Sequence, residues 1–163
     1  MRKIKILNTS FANFGSITNI LKLIGHESEL IEDLKNINGE KIIVPGVGNF
    51  SKIMSVINKK NLKEDLINSI KKKENKFFCI CVGMQILFEG SEEGNEEGLK
   101  IFNGKLKKFN LRKLRVPHQG WNYLENFKFN ENNVNLILRK RFYFSHSFYL
   151  EKINLDETEY AQT

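Results

Sequence analysis

Long apolar runs, cysteine and histidine are scarce in this 163-residue sequence. No apolar stretch is long enough to cross a membrane as a helix, so no membrane partner is expected. The amino terminus, Met-Arg-Lys-Ile-Lys-Ile-Leu-Asn, carries charges but no continuous apolar segment and no small-residue cleavage site. No signal peptide is expected, and a cytoplasmic protein is the default. The two cysteines, Cys79 and Cys81, stand two apart. A strand would turn both to the same side, and the spacing is not the C-x-x-C of redox or zinc sites, so neither a structural disulfide nor a metal site is expected. The three histidines (His26, His118, His146) are scattered, and nothing calls for a cofactor. No internal repeat, low-complexity tract or linker divides the chain, so residues 1–163 are expected to form one domain.

What is present is ordinary for a globular protein: 40% hydrophobic and 28% charged residues. The net charge of +7 raises the question of nucleic acid. Basic residues cluster at Lys105, Lys107, Lys108, Arg112, Lys113 and Arg115, and again at Arg139, Lys140 and Arg141. No recognition module accompanies them, so no nucleic-acid partner is expected. A solvated face or a docking surface for an acidic partner is the better reading.

Hydrophobic periodicity organises the first 90 residues. "IKIL" (4–7), "SELI" (28–31), "KIIVPG" (41–46) and "KFFCIC" (76–81) read as strands. "NFGSITNILKLIG" places Ile17, Ile20, Leu21 and Ile24 at helical spacing, with Gly25 as a stop. Residues 51–58 and 62–73 read as helices, the second with Asn61 and Glu64 as a capping pair. Another helix is expected after Gly83. The alternation predicts a doubly wound α/β fold, a mainly parallel sheet with helices on both faces. After residue 90 the texture changes. "GSEEGNEEG" is an acidic, glycine-punctuated loop. "LKIFNGKLKKF", "YLENFKF" and "RFYFSHSFYL" read as strands, the first split by a turn at Asn103-Gly104.

Ligands of open parallel sheets gather at the carboxyl ends of the strands. Two segments fall there. Cys81 closes an apolar strand, with Gly83 allowing a tight turn and a helix start close by. A helix amino terminus favours thiolate, and the Val82 N–H could serve a developing oxyanion. "VPGVGNF" (44–50) ends another strand, with Gly46 and Gly48 flanking Val47, a loop able to present N–H groups to an anion. On these residues alone, a buried structural cysteine and an ordinary turn before a helix remain equally open.

"PGVGNF", "CICVGMQILFEGSEEG", "VPHQGWN" and "FYFSHSFY", in this order and spacing, resemble the glutaminase subunits of imidazole glycerol phosphate synthase, within the class I glutamine amidotransferases. The resemblance runs across nearly the whole chain. It implies a flavodoxin-like fold and assigns roles residue by residue. Cys81 matches the nucleophile that attacks the glutamine amide to give a thioester and ammonia. Val82 and the Gly46-Val47-Gly48 loop match the oxyanion region. Gln85 and Glu93 match positions that hold glutamine, and the backbone around Ser145, His146 and Ser147 matches the opposite wall. Asn13 matches a residue near the subunit interface; His118 is expected to be structural or interfacial, and Trp121 to anchor its loop by packing. The implied partner is a (β/α)8-barrel cyclase, which receives the ammonia in a heterodimer.

The sequence departs from the family in places. Cys79 stands where glycine is usual, Gln119 replaces methionine in "PHMGWN", and "LNTSFAN" replaces "IDYGMGN". These changes also suit a paralogous branch that supplies ammonia for sugar amidation. A carboxyl-terminal "FHPE"-like segment carrying the family's histidine and glutamate has no counterpart here. The chain is therefore expected to be C-terminally incomplete, and weak or inactive by itself, because a general base contributes about 10²–10⁴ in rate. A subunit that only binds its barrel partner is the corresponding alternative.

Overall fold

The computed structural model describes residues 3–110, 115–128, 140–151 and 160–162. Arg112, Lys113 and Arg139 of the basic clusters lie outside these residues. The chain divides into two compact units, Met1–Leu106 and Lys107–Thr163.

The first unit is built on four parallel strands. They are β1 (Ile4–Leu7), β2 (Ser28–Ile31), β3 (Lys41–Gly46) and β4 (Lys76–Cys81), in the spatial order β2-β1-β3-β4. The order reverses at β1 and β3, and open parallel sheets bind ligands in the crevice beyond the carboxyl ends of the strands at such a point. All four strands fall where the alternation of residue types predicts them.

Helices cover both faces. The register aligns Ile6 with Ile43 and Ile43 with Phe78, so these side chains share one face. Helix α1 (Phe14–Leu23) lies on that face, burying Leu21 against Ile6 and Ile43, with Phe14, Ile17 and Ile80 packed around them. Asn13 caps α1, its side chain accepting the Ser16 N–H at 3.1 Å. Gly25, at φ +82°, closes the helix as the sequence predicts. Helix α2 (Phe50–Lys59) takes the other face. It buries Phe50, Ile53, Met54 and Ile57 completely, and Ile53 reaches Gly46.

Three local expectations fail. The third helix, α3 (Lys63–Lys71), starts from Leu62 without a side-chain cap. Asn61 holds a left-handed φ of +54° in the turn before it, so the Asn61–Glu64 capping pair does not form. The expected helix after Gly83 is a single turn, α4 (Val82–Gln85). Strand β5 (Gly90–Ser91) follows almost at once and pairs with the start of β6 (Lys105–Lys108). The predicted strand before Asn103-Gly104 does not form; only the part after it does.

The second unit contains two antiparallel strand pairs among the described residues. Strand β7 (His118–Tyr123) lies against β9 (Arg141–His146), aligning His118 with His146 and Trp121 with Tyr143. Strand β8 (Glu125–Lys128) pairs with β11 (Tyr160–Gln162), and β10 (Phe148–Leu150) follows β9.

Candidate active site

The two cysteines at the carboxyl end of β4 differ in surroundings. Cys79 is half-buried, and burial pushes its thiol up to about 11. Cys81 is exposed. Its backbone stands at φ +54°, ψ −117°, a conformation that L-residues rarely adopt. A strand bent this sharply into a helical turn lifts its side chain clear of the sheet, the geometry of a nucleophile elbow. The strain therefore falls on Cys81 itself, where sequence reasoning put the turn on Gly83.

Gly83 is needed for close packing instead. A Cβ there would stand 2.0 Å from the Val44 carbonyl oxygen, and one on Gly46 would stand 2.6 Å from the Gly83 nitrogen. The end of β3 and the elbow thus touch backbone to backbone, which brings the Gly46–Gly48 loop beside the cysteine. Pro45 is held in turn by buried Thr9, whose hydroxyl donates to the Pro45 carbonyl at 3.0 Å. Thr9 was missed from the sequence. It sits in "LNTSFAN", beyond the end of β1, where nothing but the strand order signals its nearness to β3.

The loop carries the expected donors, with one of them engaged. The Val47 N–H donates to the Phe11 carbonyl at 2.8 Å. Gly48, at φ +93° with open space where a Cβ would be, can reorient the Val47–Gly48 peptide without strain. The Val82 N–H is one of the first-turn amides with no acceptor inside its own helix. Because α4 is one turn long, no developed helix dipole acts on Cys81, and the predicted dipole activation of the thiol has little physical basis.

Gln85 is 6% exposed, so it is no solvated face residue. Glu93 is anchored to the neighbouring loop: its carboxylate accepts the Phe50 N–H at 2.7 Å, and the Asn49 side chain donates to its carbonyl at 3.4 Å. The acidic stretch is therefore folded against the amino terminus of α2. Gly94 is tight there too, since a Cβ would meet the Ser51 hydroxyl at 1.8 Å.

The remaining predicted residues belong to the second unit. His118 Nδ1 and His146 Nε2 are 2.9 Å apart, and His146 Nδ1 lies 2.8 Å from the Phe148 carbonyl. A carbonyl only accepts, so His146 Nδ1 carries the proton and His118 Nδ1–H donates to His146 Nε2. Burial, with a smaller contribution from His146, holds His118 below the usual imidazole range. His118 lies on a strand, where the sequence suggested a loop. Trp121 is 64% exposed and meets the ring of Tyr143 edge-on, so it presents a surface where packing was expected. His26, the third histidine, precedes β2 at the amino end of the sheet, opposite Cys81. Among the described residues no cluster could hold a metal ion, and no helix is long and apolar enough to cross a membrane.

No family model matches the chain. Similar proteins are nonetheless clear. An imidazole glycerol phosphate synthase subunit HisH from Leptospira borgpetersenii is 37% identical over 153 residues, covering 91% of this chain and 75% of that protein. A subunit HisH 2 of the same synthase from Methanococcus maripaludis is 37% identical over 163 residues, covering 96% and 81%. A crystal structure of a glutamine amidotransferase superposes with a TM-score of 0.67 at 15% identity, covering 93% of this chain and 75% of that one, and so shares the fold. With the elbow cysteine, the close-packed glycines and relatives this similar over most of their length, the chain belongs to the HisH family of imidazole glycerol phosphate synthase subunits.

Proposed function

We propose that this chain is a glutaminase subunit that hydrolyses glutamine to glutamate and ammonia and passes the ammonia to a (β/α)8-barrel cyclase in histidine biosynthesis. The observation that carries this reading is Cys81: exposed, strained, and set at the carboxyl end of β4 beside a glycine-rich loop.

The Cys81 sulfur adds to the carboxamide carbon of glutamine, and the carbonyl oxygen becomes an oxyanion. The Val82 N–H is one donor for it; the Val47–Gly48 peptide, once reoriented, supplies another. The C–N bond then breaks as the nitrogen takes up a proton and leaves as ammonia. Water adds to the resulting thioester, the C–S bond breaks, and glutamate and the free thiol are released. We assign Gln85 and Glu93 to holding the amino acid, a role that rests on their match to the family motif. Both proton transfers need a base. His26 cannot serve, because it stands at the other end of a sheet whose longest strands run six residues, roughly 20 Å.

Sheltered transfer of ammonia makes chemical sense, because ammonia protonated in neutral water is no longer a nucleophile. Asn13, His118 and Trp121 are the residues we assign to contact with the partner. The test is glutamate release by the chain and by Cys81→Ala, each with and without the cyclase. Release that rises with the partner and vanishes in the variant is expected. Release that persists in Cys81→Ala would remove the nucleophile from the scheme.

A further inference from the structure

Strand β1 stops short of the loop that β3 leads into. Its pairing with β3 runs through Lys5–Ile42 and ends at Ile6–Ile43, before Pro45 is reached. The donor that the Pro45 carbonyl finds on this side is a side chain, the Thr9 hydroxyl at 3.0 Å, and both residues are buried. The neighbours of Thr9 are pinned in turn. The Asn8 N–H donates to the Ile31 carbonyl at 2.8 Å, and the Lys60 ammonium donates to the Asn8 carbonyl at 3.2 Å and to Glu32 at 2.8 Å. The Ser10 N–H donates to the Asn8 side chain at 2.9 Å, in a turn where Ser10 holds φ +63°. A hydroxyl on so fixed a segment is a firm anchor.

The peptide that it anchors is the one from which the Gly46–Gly48 loop departs. The Pro45–Gly46 peptide also lies against the elbow, since a Cβ on Gly83 would stand 3.1 Å from the Pro45 carbonyl carbon and one on Gly46 would stand 2.6 Å from the Gly83 nitrogen. We propose that Thr9 is a positioning residue for the oxyanion. Its hydroxyl holds the Pro45–Gly46 peptide against the elbow, so that the Val47–Gly48 peptide, once turned, meets the oxygen of the acyl group on Cys81. This inference rests on the glutaminase reading of Cys81. Without the hydroxyl, the buried Pro45 carbonyl loses its donor, and the peptide tilts toward another, carrying the loop with it. A shift of about 1 Å in a positioning group costs on the order of 10² in rate. The thiol itself stays where it was.

The probe is the γ-(p-nitrophenyl) ester of L-glutamate, mixed with the parent chain, Thr9→Val, Thr9→Ser and Cys81→Ala. The Cys81 sulfur adds to the ester carbonyl, the C–O bond breaks, and p-nitrophenolate leaves without taking up a proton. Acylation therefore reads the oxyanion site without a general base. Iodoacetamide alkylates the same sulfur by displacing iodide, forms no oxyanion and reports access alone. At saturating ester, Thr9→Val should slow Cys81-dependent release by about tenfold or more, with the half-saturating concentration unchanged. Thr9→Ser, which keeps the hydroxyl, should restore it, and iodoacetamide should react equally with all three. Release from Thr9→Val at the parent rate overturns the proposal. So does an equal slowing with iodoacetamide, or a Thr9→Ser chain as slow as Thr9→Val, since either would mean a general disturbance of the elbow. If circular dichroism finds Thr9→Val unfolded, Thr9→Ala replaces it. A parent chain that releases no more phenolate than Cys81→Ala overturns the glutaminase reading itself and the proposal with it.

Discussion

Replacing Cys81 by glycine should stabilise the protein relative to replacing it by alanine. At φ +54°, ψ −117° a residue with a Cβ carries strain on the order of 1–3 kcal/mol. Glycine removes that strain but gives the unfolded chain more freedom, an offset of about 0.5–1 kcal/mol. Alanine keeps the Cβ and so keeps the strain. The side chain is exposed, so neither variant leaves a cavity. The difference should therefore favour Cys81→Gly by up to about 2.5 kcal/mol. For a chain of this length that is a rise of a few degrees in Tm, since each kcal/mol moves it by roughly 2–4 °C. Urea and thermal unfolding of the two variants measure it directly. If Cys81→Gly proves less stable than Cys81→Ala by the ordinary glycine penalty, the elbow is not strained and the argument for an activated position falls.

Gly83→Ala should be strongly destabilising, by at least the roughly 1–3 kcal/mol of an overpacked site, because its Cβ would stand 2.0 Å from rigid backbone at Val44. An unfolding midpoint equal to that of the parent protein would refute the close approach. For the second cysteine, a thiol-specific reagent should modify Cys81 rapidly and Cys79 only on unfolding. The folded Cys79 thiol is raised from 9.0 to about 11, so its stabilising contribution is complete below pH 9 and lost as pH climbs toward 11. Cys79→Ala should flatten that part of the stability profile; an unchanged slope between pH 9 and 11 would show that Cys79 is not shielded.

The length of α4 changes how thiol activation is understood. A full helix after Gly83 would have set a developed dipole at the end of β4, but one turn ending at Gln85 does little of this. Strain, exposure and nearby amides remain as the contributions of this part of the chain, and the general base must come from elsewhere.

The strands of the parallel sheet were legible in the sequence because such strands leave apolar runs, as in the buried "KIIVPG" and the more exposed "KFFCIC", and because Gly25 marks a helix end by its conformational freedom. The strand ends at Gly46 and Cys81 were legible too, because each closes an apolar run, but the residues alone left the cysteine open between a structural and a reactive reading. Tertiary structure decided what local order cannot. It distinguished the two cysteines, half-burying Cys79 and leaving Cys81 exposed in a strained conformation. It gave Gly83 and Gly46 their reason, a backbone contact between segments nearly forty residues apart. It placed Glu93 on the amino terminus of α2, paired His118 with His146, and left Phe78 exposed on a face that the pattern alone would have buried. Periodicity reports which side of an element is apolar; only the assembled fold determines what, if anything, lies against it.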